Sequence, residues 1–537
     1  MTSTARIALL QLRAFGIEDA AASLRHTLAK IDEAAAARPD IIVLPEVTYP
    51  AYFLGGDDLS GAGVLAPGEV LETFGARARA HGAYIAAGLA LEREFGDGPR
   101  YANAAVLFGR DGSVVGRYDK SFLWQFDSRW FRAGNAYPVF ETDVARVGML
   151  ICADGRLPEI ARSLVVNGAQ IILDLTAWVS SGRTAAQLTS IQRQFLMPAR
   201  AIENGAWIVA ADKVGVEAES IVYCGGSCVI DPGGAYVAQL GPDEEGVLVY
   251  EVPVQDAGPP VARRPQLYET LAHPTASLPV VRGLEEALVP AQEQRVAAAV
   301  QMRPPPDPAA FVEAVRRHCA RLALQDVALA VFPAPPADAR AAYQAQALID
   351  ALSDVARETG VFIAFAAYEG DGARAVQLAG PRGPVAAHRQ THALRGDGAQ
   401  ALGEAPAPVV ATPLGRVGLM CGAEGFVPEV ARSLMLRGAE MLAWCADGGG
   451  PAMTPIARAR AEENRVTLLC ASPPTAQGAT MAIDPSGAVL ADALEGRELA
   501  VTAVVNRAWS HVKSRVPGTD VVRDRQPETY RALVEGA

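Results

Sequence analysis

No apolar run in this chain approaches the ~20 residues that a membrane-spanning helix needs, so no membrane partner is expected. Cysteine is scarce: the seven are scattered and odd in number, which argues against a disulfide framework and for a reducing cytoplasm. Cys224 and Cys228 stand close together, but no second pair accompanies them. A zinc site is therefore not expected, nor any other metal or cofactor. Basic residues are outnumbered, 48 against 60 acidic ones, and the net charge of −12 argues against nucleic acid as a partner. Lysine is missing altogether between residues 294 and 507. The opening Met1–Arg6 runs straight into a strand at 7–12 with no apolar leader or cleavage site, so no secretory signal is expected there.

What is present speaks for folded domains. Half the residues are hydrophobic and the mean hydropathy is +0.14, which excludes disorder as the dominant state. A chain of 537 residues is too long for one ordinary core, so two or more domains are expected. Strand patterns at 7–12, 41–46, 83–89, 170–174 and 206–212 alternate with helical ones at 17–35, 69–80 and 185–203. Hairpin strands near 102–108 and 113–118 flank Asp111-Gly112, and further strands fall at 226–231, 235–240 and 246–253. The mixture predicts an α/β fold. Residues 255–293, rich in Pro, Gly and Ala, read as a tail and linker.

One stretch organises the rest. Val147–Ile151 is an apolar run of strand length that meets Cys152, and a helix is predicted from Pro158 to Asn167. A cysteine on such an elbow lies near the positive end of a helix dipole, which favours thiolate and nucleophilicity. A buried core thiol is the alternative. Upstream, the apolar run 41–44 ends in Pro45-Glu46, and Arg117-Tyr118-Asp119-Lys120 ends the second hairpin strand. Glu, Lys and Cys at strand ends, in that order, resemble the nitrilase superfamily of carbon–nitrogen hydrolases. Trp178, Arg200–Gly205, Gly225-Gly226-Ser227 and Asp231–Gly234 extend the resemblance over residues 5 to 270.

The resemblance implies a four-layer αββα sandwich. It makes Cys152 the nucleophile, Glu46 the proton shuttle and Lys120 the oxyanion holder, together with the backbone N–H of Ala153. Asp127 stands where the family often has a second glutamate, one methylene longer. Tyr52 and Trp178 are candidate substrate contacts, as is Tyr49, whereas Asp154 and Arg156 in the elbow favour structural hydrogen bonding. True nitrilases usually follow the cysteine with Trp-Glu, and Ala153-Asp154 here favours amide or carbamoyl hydrolysis over nitrile hydrolysis.

The chain then repeats itself. Gln301 answers Gln11 (301 − 11 = 290), Val331-Phe332-Pro333 answers Val43-Leu44-Pro45, and Gly425–Arg432 answers Gly155–Arg162 (425 − 155 = 270). The predicted organisation is therefore two tandem nitrilase-like domains, 1–285 and 293–537. In the second, Ala334 replaces Glu46, Gln390 or Thr391 replaces Lys120, and Gly422 replaces Cys152, with Cys421 on the preceding strand. That copy is expected to be non-catalytic. The expected activity is a thiol amidohydrolase acting on a small-molecule amide or N-carbamoyl compound through a Cys152 thioester. Acyl transfer, nitrile hydrolysis and a non-catalytic scaffold remain as alternatives. An intrachain pseudo-dimer of the two domains is expected, with further homo-oligomerisation open.

Overall fold

The computed structural model describes residues 3–535 apart from 57, 58, 60, 61, 93–99, 181, 287–293, 396–400, 449 and 475–479. The chain forms two compact units: Met1–Pro259 together with Val516–Thr519, and Pro260–Arg515 together with Asp520–Ala537. Each is a mixed α/β unit of two main sheets with helices packed against them.

The first unit begins with β1 (Thr4–Arg13), α1 (Ala20–Ala35), β2 (Ile41–Val43), α2 (Pro67–His81), β3 (Tyr84–Glu92), β4 (Tyr101–Phe108) and β5 (Val114–Asp119). It continues with the short α3 (Asp127–Trp130), β6 (Val139–Glu141), β7 (Arg146–Leu150), α4 (Pro158–Val166), β8 (Ile171–Leu175), α5 (Met197–Asn204), β9 (Trp207–Ala211) and β10 (Lys213–Val214). The ribbon β11 (Val216–Glu217) and β12 (Ile221–Val222) precedes β13 (Cys228–Ile230), β14 (Tyr236–Gln239) and β15 (Gly246–Pro253).

One sheet runs β1-β2-β3-β4-β5, with β10 and β15 on the other side of β1. The second runs β14-β13-β9-β8-β7-β6. Alternation along β1 sends Ala8, Leu10 and Leu12 to the outer face, where they pack with Ile31 and Ala34 of α1 and Val70, Phe74 and Ala78 of α2. On the other sheet α4 covers β7, so closely that a β-carbon on Gly148 would touch Leu164 at 3.1 Å. Gln11, on the opposite face of β1, donates to Gly241 O and Glu244 O and accepts from the Ser227 N–H.

The second unit repeats the plan. Its two six-stranded sheets enclose a core that includes Leu329, Val331 and Val376 from one and Val417, Leu419 and Leu469 from the other. Helices Pro308–Ala323 and Ala345–Thr359 cover the first of these through Phe311, Val315, Leu352 and Val355. Gln301 repeats the donor half of the bonding of Gln11, donating to Leu494 O and Arg497 O.

Two expectations need correction. The helix expected over 185–203 is broken: one 3₁₀ turn spans Ala185–Gln187, a π-wound segment spans Gln192–Leu196, and only α5 is α-helical. Pro198 has no N–H to donate to the carbonyl four residues back, which favours the wider winding before it. The stretch read as tail and linker is in part ordered. Residues 260–286 carry three 3₁₀ turns and a helix, Pro279–Glu286, and belong to the second unit; 287–293 lie outside the described residues. Arg264 donates to Thr391 O, and the Tyr268 hydroxyl meets His392 Nε2 at 2.7 Å, which fixes that stretch in place.

Candidate active site

Three chain segments of the first unit leave their strands at one place. Beyond β2, Leu44-Pro45 lead to Glu46, whose N–H donates to Thr176 O at 3.2 Å, just past β8. Lys120 directly follows β5, its N–H donating to Asn103 O and its C=O accepting from Gly134 N. Cys152 stands two residues past β7, with φ +47° at the start of a five-residue 3₁₀ turn.

The structure brings Glu46, Lys120 and Asp127 into direct contact. Lys120 Nζ lies 2.7 Å from Glu46 Oε1 and 2.7 Å from Asp127 Oδ2, and all three side chains have no solvent exposure. Asp127 also accepts from the Tyr52 hydroxyl at 2.6 Å and from Trp124 N at 2.9 Å. Lys120 Nζ sits 5.8 Å from the centre of the Tyr52 ring. The second oxygen of Glu46, Oε2, is buried with no hydrogen bond among the described residues, while Oε1 takes a second donor, Asn103 Nδ2, at 2.7 Å.

Burial raises the Glu46 pKa, with the Lys120 charge opposing it and Asp127 reinforcing it. Burial alone would lower Lys120, but the carboxylates of Asp127 and Glu46 outweigh it, so the ammonium is held well above its ordinary range. Burial and then Glu46 push the Cys152 thiol well up, against the pull of Lys120. The thiolate expected from a helix dipole is therefore corrected. Four further residues of 3₁₀ turn and Leu157 separate Cys152 from α4, so its sulfur is not at that helix terminus.

The elbow itself is held by several buried side chains, of which Asp174 keeps Oδ2 without a partner among the described residues. Asp154 accepts from Phe122 N, Ile151 N, Ser121 N and the Tyr118 hydroxyl, and burial raises its pKa to about 6. Cys152 N donates to Asp174 Oδ1, and Cys152 O accepts from Gln192 Nε2 at 2.6 Å. From α5, Arg200 Nε donates to Gly155 O and its guanidinium pairs with Glu203. Arg156 lies over the Trp124 ring at 4.2 Å. Ala153 is buried at the second position of the turn.

Of the aromatic candidates, Tyr52 joins the polar cluster and Tyr49 does not. The Tyr49 ring packs in the outer core with Phe74 and Leu89, and its hydroxyl accepts from Leu65 N. Trp178 is buried, tied by its backbone to Asp212 and Cys224, and its indole N–H has no partner among the described residues. The sequence reading missed Asn103, Asp174, Gln192 and Lys213. Asn103 was visible as a lone amide in the apolar run 102–108. Lys213 is buried, paired with Glu217 at 3.3 Å, with its ammonium 5.9 Å from the Tyr52 ring centre.

The second unit settles which residues answer these. Gln390 N donates to Arg374 O and Gln390 O accepts from Gly403 N, the pattern of Lys120 with Asn103 and Gly134. Ala334 N donates to Ala446 O as Glu46 N does to Thr176 O. Gly422, φ +52°, opens the second elbow, and Cys421 lies on the strand before it, buried between the sheets. A β-carbon on Gly422 would meet Arg374 Nη1 at 2.8 Å and Gln390 Oε1 at 3.1 Å, so the place of a nucleophile is filled.

A family model described as carbon-nitrogen hydrolase matches residues 6–259 and 296–511. An "(R)-stereoselective amidase" of a Pseudomonas species is 32% identical over 226 residues, which are 42% of this chain and 77% of its own. A "probable nitrilase" of Schizosaccharomyces pombe is 29% identical over 243 residues, 44% of this chain and 86% of its own. An "omega-amidase" of Mus musculus is 27% identical over 251 residues, 45% and 86% respectively.

Proposed function

The chain belongs to the carbon-nitrogen hydrolase family, and on that premise we propose that its first unit is a thiol amidohydrolase for small amides or N-carbamoyl compounds. The observation that carries the reading is the buried ammonium of Lys120, held at 2.7 Å by both Glu46 and Asp127 beside the left-handed Cys152. The relatives carry amidase, omega-amidase and nitrilase names alike, and Ala153-Asp154 after the cysteine, in place of the Trp-Glu usual in nitrilases, favours an amide.

Cys152 Sγ attacks the carbonyl carbon, forming a C–S bond while the carbonyl π pair moves to oxygen. With its pKa raised, the resting thiol is protonated, so attack requires a base. Glu46 takes that proton and passes it to the leaving nitrogen as the C–N bond breaks. General acid–base transfer of this kind contributes about 10²–10⁴-fold. The oxyanion is held by the Lys120 ammonium and the Ala153 N–H, each such donor contributing about 10²–10³-fold. Glu46 then deprotonates a water, which attacks the thioester and expels the thiol with its proton restored.

Asp127 holds Lys120 between two carboxylates and keeps it charged. Tyr52 and Trp178 wall the acyl pocket, with the Trp178 indole N–H left for a substrate acceptor. Ala334, Gln390 and Gly422 leave the second unit without base, lysine or nucleophile, and we assign it no chemistry.

The test is ammonia release from a panel of small aliphatic amides, N-carbamoyl amino acids and ω-amides, run beside iodoacetamide labelling of the cysteines. Turnover by at least one class, with Cys152 labelled ahead of the other six, is expected. No turnover and uniform labelling would overturn the reading.

A further inference from the structure

Lys120 and Asp127 are joined by a short loop, and a residue from the far end of the chain grips it. Thr519 belongs to the first unit although it lies 394 positions from Gln125 in sequence. Its Oγ1 accepts from Gln125 N at 2.7 Å and donates to Leu123 O at 3.1 Å. The two bonds bracket Trp124, whose N–H is the backbone donor to Asp127 Oδ2.

The loop needs such a grip. Gln125 sits at φ +48°, a left-handed conformation that side chains with a β-carbon avoid, and it persists only where the surroundings fix it. The segment that supplies the grip is shaped for close approach. Val516-Pro517-Gly518-Thr519 places Gly518 at φ +83°, the kind of turn in which glycine follows proline. A β-carbon on Gly518 would lie 2.9 Å from Gln125 O, so no other residue lets the turn sit so near. Pro517 joins Phe53, Gln125, Phe126, Arg129 and Trp130 around an open cleft of about 360 Å³ beside the loop.

We propose that Thr519 is a positioning residue for the hydrolytic site: its hydroxyl fixes the Leu123–Gln125 loop so that Trp124 N–H holds Asp127, and Asp127 in turn holds Lys120 beside Cys152. The inference rests on the roles given above to Lys120 and Asp127. It also gives the last part of the second repeat a task in the first unit's site, with no chemistry of its own.

The experiment uses the full chain and iodoacetamide, with modification of Cys152 followed by peptide mass spectrometry across pH. Thr519→Val removes the hydroxyl and keeps the shape. It should slow alkylation of Cys152 by about tenfold, because a displaced Lys120 no longer stabilises the thiolate, and should move the pH profile upward. Thr519→Ser, which keeps the hydroxyl, should stay within about twofold of the parent. Melting temperatures are recorded alongside, and Thr519→Ala replaces the valine variant if that one loses the fold. A merely structural hydroxyl would lower the melting temperature and leave the Cys152 profile in place. Parental rate and profile in Thr519→Val, or a serine variant as slow as the valine one, would overturn the inference while leaving the amidohydrolase reading intact. Cys152 labelled no faster than the other cysteines in the parent would overturn both.

Discussion

Gly422 holds a backbone φ of +52°, within a few degrees of the +47° of Cys152. The same left-handed step thus opens both elbows, once with glycine and once with cysteine. For an L side chain the step costs roughly 1–2 kcal/mol, so glycine is what the turn alone favours. At 152 a β-carbon is tolerated there because the turn is held from several sides, by Asp154, Asp174, Gln192 and Arg200.

Replacing the sulfur separates chemistry from strain. Cys152→Ala and Cys152→Gly should both abolish ammonia release. The glycine variant should be as stable as the alanine one or more so, by up to about 1 kcal/mol, since it relieves the left-handed backbone. Chemical denaturation of the pair checks this, and an alanine variant clearly more stable than the glycine one would count against it.

Glu46 sets the acid side of the pH profile. As a base it must be ionised, and its pKa is raised above the ordinary 4.5 by burial. kcat/KM should therefore fall as pH drops through a midpoint above 4.5, and Glu46→Gln should lose at least about 10²-fold together with that limb. A pH–rate series on both proteins decides it. An unchanged acid limb in the glutamine variant would assign the limb elsewhere.

Asp127→Glu restores the longer carboxylate that the family often carries. At its present length Asp127 already meets Tyr52, Lys120 and Trp124 within 2.6–2.9 Å. An added methylene in a filled site strains its neighbours by about 1–3 kcal/mol, which predicts roughly a tenfold fall in kcat/KM. Activity equal to the parent on every amide tested would reduce Asp127 to a loop acid.

The second elbow should resist repair. Gly422→Cys puts a β-carbon against Arg374 and at a positive φ, so it should lose about 1–3 kcal/mol of stability and add no fast-labelling thiol. Gln390→Ala and Cys421→Ala should each leave turnover within about threefold, as changes away from a site usually do. A tenfold loss of kcat/KM at unchanged melting temperature would bring that unit into the chemistry.

Glu46 and Cys152 were legible as candidates because each follows an apolar strand run, and Lys120 because it closes a hairpin strand, and a sheet delivers its strand ends to one rim. The repeat was legible because Gln11 and Gln301, or Gly155 and Gly425, keep one order along the chain. Gln192 and Asp174 were not, since each serves the elbow from another segment and carries no local pattern. Pro198 hid the break in the 185–203 helix, because side-chain periodicity continues through a π-wound turn. The grip of Thr519 on Gln125 was the least legible of all, as nothing near either residue announces a partner 394 positions away.

That distance has a bearing on timing. The first unit's own stretch ends at Pro259, yet Val516–Thr519 complete it. Residue 519 leaves the ribosome 519 − 259 = 260 residues later. At 5–20 residues per second, that is a delay of about 13–50 s. During that interval the nascent first unit has its cysteine, glutamate and lysine but lacks the clamp on the loop that aligns them. On the proposal above, Val516–Thr519 act as a late-arriving arming segment, and a first unit made without them should react more slowly at Cys152.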